Sequence, residues 1–335
     1  MAGVITAFSP STLGTRAARR AAFVARQPYR SFDDVAVLRN EDLELVVVPE
    51  VGRIIHYAPP GEPNFLWENP ELAQRNTRKK TVTKRSAKEW TNHGGDKAWP
   101  WPQSRWPQVM NREWPPPKEL ERQPHELRVV SRCAVTLTSA PLPDFGIRVA
   151  REITLTPRGA RATIQTTLDP LEEQRPSDVS PWAAWSVTQT QVPTRMAIRI
   201  DANTDLPGGH KALSAQTWDT IKRVGTGDIL IARVPQHSAK FGCDGDVIAA
   251  EIGNWLFVQK RLPDESNAGR RISGEAAQVY FSGKQSDKPR GSEYVELEFT
   301  GRRAQSHPTL NVQWDLIEWN PANTDSELAA LLRTL

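Results

Sequence analysis

Apolar and polar side chains alternate with a period of two along most of the chain after residue 29. In Cys133–Leu137 the apolar residues hold the odd positions and small or polar residues the even ones. The same alternation runs through Ile147–Leu155, turns at Pro157–Gly159 and returns through Ala162–Leu168. A period of two is typical of half-buried strands, so these segments predict a β-hairpin and its neighbours.

Ten further segments have the same strand-like character, which brings the predicted total to more than a dozen strands. They are Leu43–Pro49, Arg53–Ala58, Leu127–Val130, Trp182–Gln191, Met196–Asp201, Asp228–Val234, Trp255–Arg261, Gln278–Ser282, Glu293–Thr300 and Leu310–Trp319.

Helical patterns are few. Thr324 and Glu327 have the spacing of a capping box and open the apolar run Leu328–Leu332, which predicts a short C-terminal helix. Strands do not alternate with helices, and neither a dinucleotide-binding glycine motif nor a phosphate loop occurs. No repeat of 20 to 50 residues supports a propeller. We therefore predict an all-β fold, a large antiparallel sandwich of two broad sheets.

Composition adds limits to this picture. The 335 residues are 38% hydrophobic and 24% charged, as in soluble globular proteins. No apolar run approaches the ~20 residues of a spanning helix, so we expect no membrane association. The two cysteines, Cys133 and Cys243, exclude a disulfide scaffold and a cysteine zinc site. We expect no cofactor and no metal, although His93 and Asp96 could be two ligands of a site completed elsewhere.

The net charge of +4 is unevenly distributed. Residues 1–32 contain five arginines and no acid, so the remaining residues sum to −1. A nucleic-acid partner is therefore not expected, since its binding needs a basic face on the folded domain. The Arg- and Ala-rich start resembles a transit segment but lacks the core of a secretory signal. We expect residues 1–28 to be a flexible extension, residues 29–335 to form one domain, and the protein to be cytoplasmic; the sequence leaves its oligomeric state open.

The segment Trp90–Gln103 is the richest in chemistry. Its glycine pair, Gly94 and Gly95, predicts a shaped loop whose backbone approaches another part of the chain closely. Five of the twelve tryptophans lie between residues 90 and 114. Indole rings interleaved with hydrogen-bonding side chains suit a pyranose ring, which has an apolar face and polar hydroxyls. The alternative is that the Trp-Pro pairs hold a long loop against the core.

The string Asn92–Gln103 resembles the signature of the DUF4380 family, whose uncharacterised members have a galactose mutarotase-like supersandwich fold. The resemblance extends over roughly residues 29–320. It includes Asn40–Ile54, Trp185–Gln189, Lys240–Gly242 as a turn, Tyr294–Glu298 and Trp314–Leu316. It implies the supersandwich fold. Such sandwiches commonly offer a concave sheet face as a ligand platform, and we expect the sugar to bind there. The wider superfamily uses more than one pocket histidine, whereas the motif places only His93 here.

Anomer interconversion needs a base for the C1 hydroxyl proton and an acid for the ring oxygen, and a histidine–carboxylate pair suits both near neutral pH. His93 is the candidate acid and Glu296 the candidate base. Period-two alternation places Val295, Leu297 and Phe299 on one face of their strand, with Glu296 and Glu298 on the other. That second face is directed either to solvent or to a pocket, and the resemblance favours the pocket for Glu296.

Further residues are candidates for binding the substrate. On an extended backbone Asp96 and Lys97 point apart, so one of them is expected to contact ligand and the other to pair with the scaffold. His210, after two glycines, is the best candidate for a second pocket histidine. The basic run Arg75–Lys88 leaves open an acidic or phosphorylated sugar. The predicted substrate-binding set is Arg53, Asp96, Lys97, Trp99, Trp101, Gln103, Gln189 and Glu298.

The expected function is a carbohydrate-active isomerase of the mutarotase or epimerase type that works by acid–base chemistry without a cofactor. Two alternatives stay open. One is a non-catalytic carbohydrate-binding domain, and the other is an enzyme that cleaves glycosidic bonds by hydrolysis or elimination.

Overall fold

The computed structural model describes residues 22–75, 90–171, 180–263, 273–284, 288–303 and 307–335. Within these ranges the chain forms two ten-stranded antiparallel sheets that pack face to face. A short C-terminal helix lies against the outer face of the second sheet. The all-β sandwich with a short C-terminal helix, predicted from the sequence, is confirmed.

The first sheet carries the candidate site, and its strands are numbered here in chain order. Across the sheet they are β1 (Phe23–Tyr29), β2 (Phe32–Arg39), β3 (Glu44–Val48), β4 (Arg53–Ala58), β5 (Asp96–Trp101), β10 (Ala183–Thr190), β19 (Val295–Thr300), β18 (Ala277–Phe281), β15 (Ala239–Cys243) and β12 (Lys211–Ala212).

The second sheet is built in the same antiparallel manner. Across it lie β13 (Ile221–Val224), β14 (Ile229–Ala232), β11 (Arg195–Ile200), β16 (Gly245–Ile252), β17 (Trp255–Arg261), β20 (Thr309–Glu318), β9 (Arg161–Pro170), β8 (Ile147–Leu155), β7 (Ala134–Thr138) and β6 (Glu126–Ser131). The described helices are α1 (Pro70–Arg75), α2 (Trp106–Met110), α3 (Lys118–Glu121) and α4 (Asp325–Thr334), and none of them is long and apolar enough to cross a membrane.

The core lies between the two sheets. Alternate side chains of each strand point into it, so that Leu297 and Phe299 of β19 share one buried cluster with Phe257 of β17. Tyr57 of β4 packs its ring edge-on against Trp314 of β20, with 5.1 Å between ring centroids. This alternation leaves the other side chains of each strand for the outer faces.

Helix α4 covers part of the outer face of the second sheet. Thr324 and Glu327 form the capping box that the sequence predicts, each side chain bonding the other's backbone N–H. Leu328 and Leu332 then pack with Ile231 and Val258 in a second apolar cluster.

Three local predictions need correction. The segment 90–103 was predicted to be a loop, but its residues 96–101 form β5, which pairs along its length with β10 and at one residue with β4. Residues 240–242 were predicted as a turn and lie inside β15, between β18 and β12. The predicted boundary at residues 28 and 29 falls inside β1, which pairs with β2.

Residues 1–21 of the predicted extension, and nearly all of the basic run 75–88, lie outside the described residues.

Candidate functional site

The glycine pair before β5 lets three backbone segments meet. Gly94 and Gly95 have φ of +85° and +69°, a region that favours glycine. The Gly95 N–H donates to the Trp67 carbonyl at 2.7 Å, and its carbonyl accepts from the Gln189 N–H at 3.0 Å. A Cβ on Gly94 would overlap the Trp67 carbonyl oxygen, and a Cβ on Gly95 would overlap that of Ile54. The close backbone approach predicted from the glycines is therefore present.

The first two residues of β5 point in opposite directions. Asp96 is fully buried between the sheets, where it pairs with Arg151 and accepts a hydrogen bond from Thr188 Oγ1 at 2.7 Å. Lys97 points to the outer face, because it lies on the same side of the sheet as Gln189 of β10 and Glu296 of β19. Asp96 thus joins the two sheets and does not reach the outer face.

Three polar side chains meet at the centre of the outer face. Gln189 lies directly opposite Glu296 in the β10–β19 register, and Lys97 lies opposite Val187, two residues before Gln189 on β10. Lys97 Nζ and Gln189 Nε2 donate to Glu296 Oε1 at 3.0 and 2.9 Å. Glu296 Oε2 accepts no hydrogen bond from the described residues, and the side chain is 13% exposed. Two donors therefore orient this carboxylate through one oxygen.

A second ion pair lies two residues further along β19. Lys240 Nζ and Trp185 Nε1 both donate to Glu298 Oε2, at 2.8 and 2.9 Å. Glu298 is fully buried, and burial raises the pKa of its carboxyl although Lys240 opposes the shift. Glu298 therefore lies on the same side of the sheet as Glu296 but is shielded from solvent.

A third ion pair supports the tryptophan-rich segment. Arg53 is fully buried, pairs with Glu121 of α3 and donates to the Gly94 carbonyl at 2.9 Å. Glu121 also accepts from the indole N–H groups of Trp99 and Trp90, at 2.7 and 3.1 Å. Arg53 thus fixes the glycine pair and the aromatic residues in place.

The tryptophans form a packed group beside the Lys97–Glu296 pair. Trp99 is buried and contacts Trp185 and Trp114, with ring centroids 5.3 and 6.0 Å apart. Lys97 Nζ lies 4.7 Å from the Trp99 ring centre. Trp101 is buried too, whereas Trp114 is 45% exposed and is the ring of this group that offers a surface for stacking.

His93 lies immediately before the glycine pair and is half-buried. Its ring centroid is 6.3 Å from that of Phe32. Burial and the nearby guanidinium of Arg53 lower the pKa of His93 to about 4, so the imidazole is neutral near pH 7. No hydrogen bond joins it to Glu296 in the part of the chain that the structure describes.

Two other predicted or considered residues stand apart from this centre. Gln103 is half-buried in a single 3₁₀ turn beyond the end of β5 and makes none of the cluster's hydrogen bonds. The ring of His210 packs against Phe241, and its Nδ1 lies 3.2 Å from the Gly208 carbonyl oxygen. Neither side chain joins the described Lys97–Gln189–Glu296 cluster.

Sequence reasoning missed Glu121 and Tyr280, and it did not include Lys240 or Tyr294 in the predicted site. Tyr280 lies directly opposite Glu296 on β18, a position that the alternation of the two strands could have revealed. Tyr294 stacks on Trp67 at 4.6 Å, and burial, followed by Glu296, raises its pKa. Glu121 comes from a distant helix, and no local pattern announces its contact with Arg53.

Among the described residues, no group of three His, Cys, Asp or Glu side chains is arranged to hold a metal ion.

The chain matches no family model and no curated protein sequence, so membership of the DUF4380 family is not confirmed. Solved structures do resemble it. A candidate mutarotase from Salmonella typhimurium has a TM-score of 0.52 and 12% identity over 88% of this chain and 94% of its own. A candidate aldose 1-epimerase from Escherichia coli K12 has a TM-score of 0.51 and 11% identity, with 89% and 99% covered.

A galactose mutarotase related enzyme from Lactobacillus acidophilus gives the same result, with a TM-score of 0.51, 8% identity and coverage of 86% and 98%. Identities this low establish a shared fold and leave the activity open. The protein has the galactose mutarotase-like β-sandwich fold.

Proposed function

We propose that the protein is a carbohydrate-active isomerase of the mutarotase or epimerase type, with Glu296 as its general base. The proposal is carried by the state of this carboxylate. Lys97 and Gln189 both bind its Oε1, while Oε2 has no hydrogen-bond donor among the described residues. A carboxylate oriented through one oxygen leaves the other oxygen ready to accept a proton from a sugar hydroxyl.

The proposed reaction is the interconversion of anomers. Glu296 takes the proton of the C1 hydroxyl, and the C1–O5 bond breaks as the C1 carbonyl forms. An acid supplies a proton to the departing ring oxygen. Rotation about the C1–C2 bond and ring closure with reversed proton transfers give the other anomer, with no redox change and no further reactant.

The charge balance of the face supports a neutral sugar as substrate. Lys97, Lys240 and Arg53 each already pair with a carboxylate, at Glu296, Glu298 and Glu121 respectively. An anionic group would have to compete with those carboxylates. The fold shared with a candidate aldose 1-epimerase and a candidate mutarotase is a second support.

His93, the acid expected from the sequence, fits this scheme less well. With its pKa lowered to about 4, the imidazole is neutral near pH 7. A neutral imidazole can donate one N–H to a sugar hydroxyl, but it is a much weaker acid than imidazolium. We therefore propose His93 as a hydrogen-bond donor to the substrate.

The test is magnetisation exchange between α and β anomers, measured by proton NMR. The panel contains glucose and galactose with their uronic acids and 6-phosphates, and the variants are wild type, Glu296→Gln and Glu152→Gln. Glu152 is an exposed carboxylate on β8 of the second sheet, so its variant is the matched control. We expect accelerated exchange of a neutral sugar by wild type and control, and a loss of about 10²- to 10⁴-fold in kcat for Glu296→Gln.

If the wild type accelerates anomer exchange of no sugar in the panel, the proposed isomerase activity is contradicted. Sugar binding by calorimetry would then favour a non-catalytic binding domain, and new reducing ends from oligosaccharides would favour cleavage of glycosidic bonds. Exchange that survives Glu296→Gln would remove Glu296 as the base.

A further inference from the structure

The ammonium of Lys97 is held in an unusual position for a lysine. Its side chain is only 3% exposed, on the outer face of a sheet. Nζ lies 3.0 Å from Glu296 Oε1 and 4.7 Å from the centre of the Trp99 ring. A buried cation so close to the proposed base is a costly arrangement for stability alone, because apolar residues of similar volume often serve as well.

From this geometry we infer that Lys97 is a catalytic residue, the general acid that protonates the ring oxygen while Glu296 deprotonates the C1 hydroxyl. The inference rests on the proposed isomerase function. It replaces the acid role that the sequence suggested for His93.

The chemistry of the substrate requires the acid and the base to be neighbours. In a pyranose the C1 hydroxyl oxygen and the ring oxygen are bonded to the same carbon, so the two groups that serve them must lie within a few ångströms of each other. Lys97 and Glu296 meet this condition through a direct hydrogen bond. His93 has no hydrogen bond to Glu296 among the described residues.

Lys97 and Glu296 together supply and recover both protons that the reaction transfers. In ring opening, Glu296 gains the proton of the C1 hydroxyl, and Lys97 loses a proton to the ring oxygen as the C1–O5 bond breaks. In ring closure, the Lys97 amine takes back the proton from that oxygen, and the Glu296 carboxyl returns its own to the C1 oxygen. The pair begins and ends as ammonium and carboxylate, so no external acid or base is consumed.

The surroundings of Lys97 also favour proton release. Burial lowers its pKa, Arg53 adds to this shift, and the carboxylates of Glu296 and Glu121 oppose it. A lysine whose pKa is lowered releases its proton more readily than an exposed lysine and is therefore a better general acid. Tyr294 and Tyr280 also face this region, and burial together with Glu296 raises the pKa of both, which makes them weaker acids.

The neighbouring pair shows what a supporting lysine looks like on the same sheet. Lys240 is 19% exposed, but its carboxylate partner Glu298 is fully buried, and Trp185 donates to the same oxygen. In that pair no exposed carboxylate stands beside the lysine to act as a base. In the Lys97–Glu296 pair the lysine is the buried member and the carboxylate keeps the exposed surface.

The experiment compares Lys97→Met and Lys97→Arg with wild type in anomer exchange at several pH values. Arginine keeps the positive charge beside Glu296 but does not release a proton at accessible pH. We expect a loss of about 10²- to 10⁴-fold in kcat in both variants, with a smaller change in KM, and disappearance of the alkaline limb of the wild-type pH profile. Lys211→Met, which breaks a lysine–Glu275 pair at the edge of the same sheet, is the matched control.

The outcomes separate the two proposals. Wild-type kcat in Lys97→Arg would show that Lys97 only positions Glu296, and would overturn the inference while leaving the isomerase intact. An alkaline limb that persists in Lys97→Met would overturn it as well. A wild type that does not accelerate anomer exchange would overturn both proposals. If Lys97→Met fails to fold, the Lys97→Arg variant still tests the acid role, because it retains the ion pair with Glu296. Partial rescue of Lys97→Ala by added alkylamines would support the acid role.

Discussion

The outer faces of the two sheets are built in opposite ways. Under α4, the second sheet presents Ile231, Val247 and Val258, which pack against Leu328 and Leu332 of the helix. These side chains are buried at almost no electrostatic cost, and their contribution to stability grows with the apolar area removed from water.

The centre of the first sheet's outer face carries charged and amide groups instead. Lys97 pairs with Glu296, and Lys240 with Glu298, at positions where β-branched residues would pack well. Burying such pairs requires desolvation of both ions, and hydrophobic replacements are often neutral or stabilising. The difference teaches that the second face is arranged for stability, whereas the first has a chemical arrangement that stability does not explain.

The strongest test of this contrast is Glu121→Leu. The change leaves the Arg53 guanidinium buried without its carboxylate and removes the acceptor of the Trp90 and Trp99 indole N–H groups. We expect the free energy of unfolding to fall by about 3 to 5 kcal/mol. Urea unfolding followed by tryptophan fluorescence measures the change.

The double variant Arg53→Met with Glu121→Leu supplies the control. It removes both charges together, so most of the lost stability should return. If the double variant is as unstable as the single one, Glu121 stabilises the fold through this ion pair or through the hydrogen bonds that it accepts from the two indole N–H groups, and the contrast between the two faces would fail at that point.

Leu332→Ala tests the apolar side of the comparison. Leu332 is fully buried between α4 and the second sheet, and the substitution leaves a cavity there. We expect a loss of about 2 to 4 kcal/mol in the free energy of unfolding. Anomer exchange per folded molecule should not change, because Leu332 is on the helix that covers the second sheet, whereas the proposed site is on the first sheet. A fall in kcat at full folding would show that the two faces are coupled.

The pH dependence of stability reports on the layer beneath the first face. His125 is buried against Gly52, and burial lowers its pKa to about 4. The ordinary value of 6.5 applies to the unfolded chain, which therefore binds a proton first as the pH falls. The stabilisation that neutral, buried His125 contributes is therefore complete above pH 6.5, and it is lost as the pH falls from 6.5 to about 4.

From pH 7 to pH 5 this single group lowers the free energy of unfolding by at most about 2 kcal/mol. His125→Gln should remove that part of the difference between urea unfolding at the two pH values. The pKa values of His56 and His93 are also lowered to about 4, so some acid sensitivity should remain. An unchanged difference in the variant would contradict a neutral, buried His125.

The sequence predicted a strand correctly where one face of the strand is polar, or where turn residues clearly bound an apolar run. Strands β4 and β17 match the predicted Arg53–Ala58 and Trp255–Arg261 residue for residue. Strand β16 was missed because it is buried on both faces under α4, so its residues do not alternate. Strand β5 was predicted as a loop because all six of its residues are buried and do not alternate. The glycine pair before it, with Pro100 inside it and Pro102 after it, is also typical of a loop.

The site was predictable only in its local part. Alternation in β19 places Glu296 and Glu298 on one face, opposite the buried Val295, Leu297 and Phe299, and the structure confirms this. Which of the two carboxylates stays exposed depends on partners from distant segments, Lys97 for one and Lys240 with Trp185 for the other. Such pairing depends on sheet register across the whole fold, and no short segment of sequence contains it.

The capping box of α4 was read directly from the sequence, and it gives the smallest of the expected effects. Thr324 Oγ1 accepts the Glu327 N–H at 3.2 Å, and the Glu327 carboxylate accepts the Thr324 N–H at 2.6 Å. Thr324→Ala removes the first of these bonds, so the free energy of unfolding should fall by about 1 kcal/mol. Because the loss is confined to the helix that covers the second sheet, amide exchange should accelerate in α4 and stay unchanged in β5 and β19. Faster exchange in those two strands would mean that the cover on one face helps to hold the polar cluster on the other, and the two faces would have to be treated as one unit.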